Sequence, residues 1–362
     1  MTQLRHTVIR AGFDALALSG AHRLLQPWLA GAGTIFMLHH VRPPRDAAFQ
    51  PNRHLEITPD FLRTVLDHLR RRNIDIVTLD EMRRRLAEGD LSRRFACFTF
   101  DDGYRDNRDH ALPVMRAYDA PFTVFVTSDF ASHRGRLWWL ALERVVAQAD
   151  MIEADTVEAD ALAAGIGGTA LRLDAATPEA KQGAFARLHD ALRALPDDAA
   201  VNREVAALCA RHGVDADAIS RELCLSWDEV KDFAADPLVT IGAHTLTHGN
   251  LAHQDEATAR HELAASRADI EVALQRPVRH LAYPYGDRNA AAGREFALAR
   301  AAGFDLAVTT RPGMVFAAHA AHLTALPRVS LNGHFQSERA LAVLASGAAT
   351  ALWNGLRRLD VA

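Results

Sequence analysis

A chain of 362 residues with 49% hydrophobic side chains can bury one large core, and its formal charge of −4 provides no basic field of the kind nucleic-acid binding needs. Cys97, Cys209 and Cys224 lack zinc-like spacing, and their odd number argues against a disulfide framework, so a reducing compartment is expected. The longest charge-free stretch near the end, Ala340 to Leu356, is short, alanine-rich and broken by Ser346, Gly347 and Asn354, and no transmembrane span is expected.

Residues 1–33 read as a helical arm. The first 25 are interrupted by Arg5, Arg10, Asp14 and Arg23 and lack the apolar core of a secretory signal, which implies a cytoplasmic protein. Ile35 to His40 reads as the first strand, and Thr58 to Arg72 as a helix entered through Thr58-Pro59, a favourable cap and first position. Strands at Ile74–Val77 and Phe95–Phe100 flank a helix over Leu79–Glu88. A helix from Asn107 to Tyr118 and a strand at Phe122–Val126 follow. This alternation predicts an α/β fold with a parallel sheet or barrel. The rhythm then breaks over about residues 129–225, which are rich in Ala and Asp with helical periodicity and offer few strand candidates beyond Ala170–Leu173. That stretch reads as an insertion near the catalytic edge, opened by Leu137-Trp-Trp-Leu140, whose tryptophans are read as anchors rather than sugar-stacking platforms. Strands resume at Leu238–Ala243 and recur at Val278–Ala282, Phe304–Thr309 and Leu326–Ser330, with a helix over Asp255–Leu274. Residues 34–335 thus form one domain, and 336–362 a terminal helix beginning near Ser337. Leu4, Val8 and Trp28 at one end and Leu341, Leu344 and Trp353 at the other have helical spacing. They are read as packing within the protein, with peripheral attachment to the inner membrane surface as the alternative.

Two adjacent carboxylates, Asp101 and Asp102, close the strand-like run Phe95–Phe100 and are followed by Gly103. At a strand end such neighbours diverge, so one can hold a metal while the other takes a proton; a solvated turn is the plain alternative. The complement is His244-Thr-Leu-Thr-His248, which follows the run Leu238–Ala243. It is the only His-x-x-x-His among 18 histidines. Two imidazoles four residues apart converge on one metal if the segment turns helically. One carboxylate with two neutral imidazoles suits zinc or a similar divalent ion and leaves positions open for water and substrate. A third element, Tyr283-Pro284-Tyr285-Gly286, ends another strand.

With Thr99-Phe-Asp-Asp-Gly103, His244-Thr-Leu-Thr-His248 and Tyr283-Pro-Tyr-Gly286 in this order, the chain resembles the polysaccharide deacetylases of carbohydrate esterase family 4, the NodB-homology group. The resemblance spans roughly Ile35 to Val329. It implies a distorted (β/α) barrel with a largely helical insertion. It also implies metal-dependent removal of N-acetyl groups from an amino-sugar glycan or glycan precursor, with release of acetate. Asp101 would then be the general base, and Asp102, His244 and His248 the ligands of a divalent metal, zinc foremost. The backbone N–H of Tyr285, beside Pro284, would face the oxyanion. His39 aligns with the family's opening strand and would contact substrate. The chain departs from the pattern at Ala282, where the family carries the arginine that orients its catalytic aspartate, and Arg328 is the candidate replacement. No fourth motif is recognisable in Gly303–Thr310 and no clear fifth motif supplies the general acid, for which His322 ranks first, then His39, then His319. A cytoplasmic enzyme would reach a lipid-linked or nucleotide-linked glycan precursor rather than a secreted polymer. A deformylase of the same fold and a noncatalytic sugar-binding relative are the alternatives, and an intact Asp101 beside Asp102 argues against the second.

Overall fold

The unbroken apolar run Phe95–Phe100 is what a strand covered on both faces of a parallel sheet requires, and all six residues are buried. A computed structural model describes residues 3–154, 171–195 and 197–362, with side chains from residue 6 onward. Seven parallel strands close a barrel in the order β1 (Gly33–Leu38), β12 (Leu326–Ser330), β11 (Leu306–Pro312), β10 (His280–Ala282), β9 (Val239–Ala243), β6 (Phe122–Val126) and β5 (Phe95–Phe100). β5 pairs back onto β1 from Gly33↔Phe95 to Leu38↔Phe100. β4 (Asp75–Ile76) adds to the outer side of β5, β2 (His40–Val41) pairs with β3 (Glu56–Ile57), and β7 (Met151–Ala154) pairs antiparallel with β8 (Leu171–Asp174).

The expected strands and main helices fall in place, with local departures. The helix Pro59–Arg71 starts as its sequence predicts, the Thr58 hydroxyl accepting from Phe61 N. A widened turn over Asn107–Ala111 precedes the short helix Leu112–Ala117, because Pro113 lacks an N–H and fits only the first turn of an α-helix. The terminal helix is two, Glu338–Ala345 and Ala348–Trp353, divided at Ser346-Gly347, where Gly347 takes a φ of 78°. β7 had no sequence signal. Ala170, the start of the expected strand partnering it, lies outside the described residues.

Side-chain parity along each strand builds the interior. Ile35, Phe95, Cys97, Phe125, Val308 and Leu326 point inward and meet Leu79, Met82 and Leu86 of the helix Leu79–Glu88, which closes the amino-terminal end of the barrel. Phe36, Phe98, Phe100, Val124 and Ile241 point outward and pack beneath the surrounding helices. The inserted helices Trp138–Gln148, Pro178–Arg193, Asp198–Arg211 and Ala216–Leu223 share a separate apolar cluster with Tyr104 and Phe130. Trp138 and Trp139 are buried in it, which is anchoring. At the ends, Leu341 is buried but Val8, Trp28 and Trp353 are exposed, contrary to the expectation of internal packing; the side chain of Leu4 lies outside the description.

Candidate active site

Parity also delivers the polar groups. Continuing the inward series of β5 beyond Cys97 gives Thr99 and then Asp101; on β12 the residue two after inward Leu326 is Arg328; on β1 the series Ile35, Met37 leads to His39. On β9, where Val239, Ile241 and Ala243 face the helices, His244 is next inward. These side chains meet at the carboxyl ends of the strands, above the apolar layer.

Arg328 is the largest fully buried side chain among the described residues. Its Nη1 and Nη2 donate to Asp101 Oδ1 and Oδ2, both at 2.7 Å, its Nη1 to Thr99 Oγ1 at 3.1 Å, and its Nε to the Thr309 carbonyl at 2.8 Å. This places a guanidinium on Asp101 from β12, where the resemblance would have it come from the position of Ala282. Burial pushes the Asp101 carboxyl up, but the Arg328 charge, with His244 and the Arg328 hydrogen bonds, brings it below its ordinary value. Asp101 is therefore an oriented carboxylate. His39 Nε2 lies 3.9 Å from Asp101 Oδ2. Burial lowers the His39 imidazole, partly offset by the two aspartates.

Asp102 leaves the strand at a φ of 72° and turns away from Asp101, with Gly103 following at 68°. Its Oδ1 lies 3.4 Å from His244 Nε2 and 3.3 Å from His248 Nε2. Two ligands each about 2.0–2.1 Å from a tetrahedral zinc stand roughly 3.3–3.4 Å apart, so the spacing fits. Asp102 Oδ1 is buried and without a hydrogen-bond donor, and the ligand atoms of all three residues lie within 4.8 Å of one another. His244 Nδ1 is 2.7 Å from the Ala282 carbonyl; donating there, it leaves the Nε2 lone pair turned to Asp102. The donor set therefore fits a divalent cation. Burial raises the Asp102 carboxyl, and the His244 and His248 imidazoles facing it more than reverse this, holding it well below the carboxylate range.

The His244–His248 segment is not the helical turn its spacing suggested. It is an irregular loop in which Thr245 and His248 take φ values of 61° and 67°, and this bend, rather than helical pitch, brings the two rings to 4.9 Å. A positive φ at a β-branched residue is strained and needs support. Part comes from Thr245 Oγ1, which accepts from His248 N at 3.1 Å. More comes from Glu262, whose Oε2 accepts from Leu246 N and Thr247 N at 3.0 and 2.9 Å and whose Oε1 accepts from the Thr247 hydroxyl at 2.8 Å. Asp198, from the insertion, accepts from Asn250 N at 3.0 Å. Neither acid was singled out from the sequence. Glu262 did leave a signal, because it interrupts the buried stripe Ala259, Leu263, Ser266, Ile270 of its helix.

Tyr285 closes the rim at a φ of 60°, its ring 5.3 Å from that of His248 and its hydroxyl accepting from Trp138 Nε1 at 3.0 Å. The turn is drawn tight by Gly286 N donating to Pro284 O and by the Thr310 hydroxyl donating to Tyr285 O. His322 and His319 require correction. Both precede β12, and in a parallel barrel a residue before a strand lies at the amino-terminal end. The turn Ala317–Ala321 packs on the helix Leu79–Glu88 that floors the barrel, and Ala325 N donates to His322 O just before β12 begins. The apolar layer separates both histidines from Asp101, so His322 is not at the site. Of the three ranked histidines only His39 is.

The barrel and its polar rim define a hydrolase with its reacting groups at the carboxyl ends of parallel strands. Residues 88–307, more than half of the chain, match the family model for polysaccharide deacetylase, and the chain belongs to that family. Solved structures of similar fold include Streptococcus pyogenes deacetylase PplD in complex with acetate, at 16% identity and a TM-score of 0.55 over 86% of this chain and 97% of that one. IcaB from Ammonifex degensii matches at 18% identity and 0.51, over 88% and 97% of the two chains. BC0361, a polysaccharide deacetylase from Bacillus cereus, matches at 15% and 0.50, over 86% and 68%. No curated protein matches the chain.

Proposed function

We propose that the protein is a metal-dependent hydrolase that removes N-acetyl groups from an amino-sugar glycan or a lipid-linked glycan precursor, releasing acetate and a free amine. The observation that carries this reading is the convergence of Asp102, His244 and His248 beside an Asp101 held by Arg328. Asp102, His244 and His248 would hold the ion, and one carboxylate with two imidazoles favours zinc. When bound, such an ion acidifies water towards a pKa of about 7 and polarises an amide carbonyl. Asp101 takes the proton of the attacking water, since each of its oxygens accepts from Arg328 with one lone pair and keeps another. The Tyr285 backbone N–H faces the oxyanion. The proton that Asp101 has taken passes through His39, whose Nε2 lies 3.9 Å away, to the departing sugar nitrogen, a poor leaving group without one.

The buried, unbonded cysteines support a cytoplasmic location, and no described helix is long and apolar enough to cross a membrane. A precursor at the inner membrane face is then the substrate within reach. The test is a panel of N-acetylated and N-formylated amino sugars, free and lipid-linked, followed by acetate and formate release. Acetate release, fastest from lipid-linked acceptors, is the expected result. Formate release alone would make the protein a deformylase, and no release by metal-replete protein would overturn the reading.

A further inference from the structure

Large apolar side chains stand exposed mainly at the two ends of the chain. Among the described residues Val8, Leu18, Leu24, Leu25, Trp28, Leu352, Trp353, Leu356 and Leu359 do so, against only Met151 and Val272 elsewhere. The ends form one surface. The helices Ala21–Leu29 and Ala348–Trp353 pack against each other, Gly347 sits against the Leu29 carbonyl, and Arg358 donates to the Trp28 carbonyl at 3.1 Å. The first helix presents Leu24, Leu25 and Trp28, the second presents Leu352 and Trp353 with Leu356 just beyond its end, and these six are 41 to 73% exposed. A contiguous leucine and tryptophan face of this kind differs from singly scattered apolar residues and marks an interaction surface.

The charge around the face indicates its partner. An open pocket of about 620 Å³ beside Leu18 is lined by Arg23, Arg71, Arg72 and Arg339 with one acid, Glu338. Glu338 meets Arg71 at 2.8 Å, and Asp14 lies 3.9 Å from Arg339. On the other side stand exposed Arg357 and Arg358, while the nearby Asp360 is engaged by Arg288 and Arg311. The edge is thus positive on a chain of net charge −4. Two copies apposed through it would bring like charges together, whereas lipid phosphates would complement it.

We propose that this face docks the protein on an anionic lipid bilayer, with the leucines and tryptophans at headgroup depth and the arginines on lipid phosphates. The helix Ala21–Leu29 leads directly into β1, which sets the face towards the amino-terminal end of the barrel, and the last segment of the face runs on to Asp360, which meets Arg288 at 3.0 Å. The inference does not depend on the reaction catalysed.

Co-sedimentation of the full chain with phosphatidylglycerol vesicles and with phosphatidylcholine vesicles tests it. Binding to the anionic vesicles alone is expected, lost in Leu24→Glu/Leu352→Glu and weakened about fivefold by each of Arg23→Gln and Arg357→Gln, the worth of one arginine near a charged bilayer. These side chains are exposed, so unchanged thermal melting should accompany the loss. Absence of binding, equal binding to neutral vesicles, or binding that survives the double leucine variant would overturn the proposal. So would a concentration-dependent dimer abolished by that variant, which would assign the face to a second copy.

Discussion

Replacing Arg328 with methionine removes a guanidinium that is fully buried and makes four hydrogen bonds, two of them to Asp101. The methionine fills much of the volume, so the loss is electrostatic: Asp101, also buried, keeps its charge without its partner. Breaking a buried pair from one side costs about 3–5 kcal/mol, whereas replacing both members with neutral groups is close to neutral. Arg328→Met and Asp101→Asn should each lose stability of that order, and the double variant much less than their sum of about 6–10 kcal/mol, so that the coupling approaches that sum. At about 2 °C per kcal/mol for a chain of this size, each single variant should melt roughly 6–10 °C lower. Denaturant melts of the four proteins measure the cycle. A second readout follows from the sign of the Asp101 shift. Its folded value lies below the ordinary 3.8, so the stability it contributes is present above that pH and is lost as pH falls through the folded value. Without Arg328, burial prevails and the carboxyl rises, moving the acid limb of kcat/KM to higher pH. Losses that simply add in the double variant, together with an unmoved acid limb, would refute the pairing argument.

His244→Ala and His248→Ala each remove one of the three convergent ligands, and elemental analysis should show metal content falling with activity; full occupancy would contradict the assignment. Asp101→Asn keeps shape but cannot take a proton, so turnover should drop by about 10²–10⁴ at unchanged metal content. His39→Gln should lose a similar factor, about 10²–10⁴, on N-acetyl substrates and far less on an activated aryl acetate, whose leaving group needs no proton. Equal losses on both would exclude His39 as the donor. Glu262→Ala strands the Leu246 and Thr247 N–H groups that shape the histidine loop, and titration should show metal binding weakened by roughly 10–100-fold.

The barrel was legible because its strands are short apolar runs bounded by turns, and buried parallel strands leave that pattern most plainly; β5, β6 and β12 have the bounds that their sequence predicts. The aspartates and His244 were legible because they directly follow a strand, and His248 through its spacing from His244. Arg328 was recognisable as a charge within Leu326–Val329, although its pairing with Asp101 depends on β12 closing beside β1, a contact no local pattern records. His322 was misplaced because proximity to a strand was taken without its direction: only residues after a parallel strand reach the rim. The His244–His248 loop was misjudged for a related reason. Spacing of four suggests a helix, but strained dihedrals held by Glu262, 14 residues beyond His248, achieve the same convergence. The exposed terminal face escaped because helical periodicity shows which residues share a side, not what covers it.

The central claim is that Asp102, His244 and His248 hold the ion on which deacetylation depends. Acetate release from an N-acetylated amino-sugar oligomer, measured before chelation, after it and after re-addition of zinc, tests this most directly. The account predicts release that is abolished by the chelator, restored by zinc in the wild-type protein and not restored in His244→Ala. Release that persists in fully metal-free protein, or that zinc restores equally in His244→Ala, would contradict it.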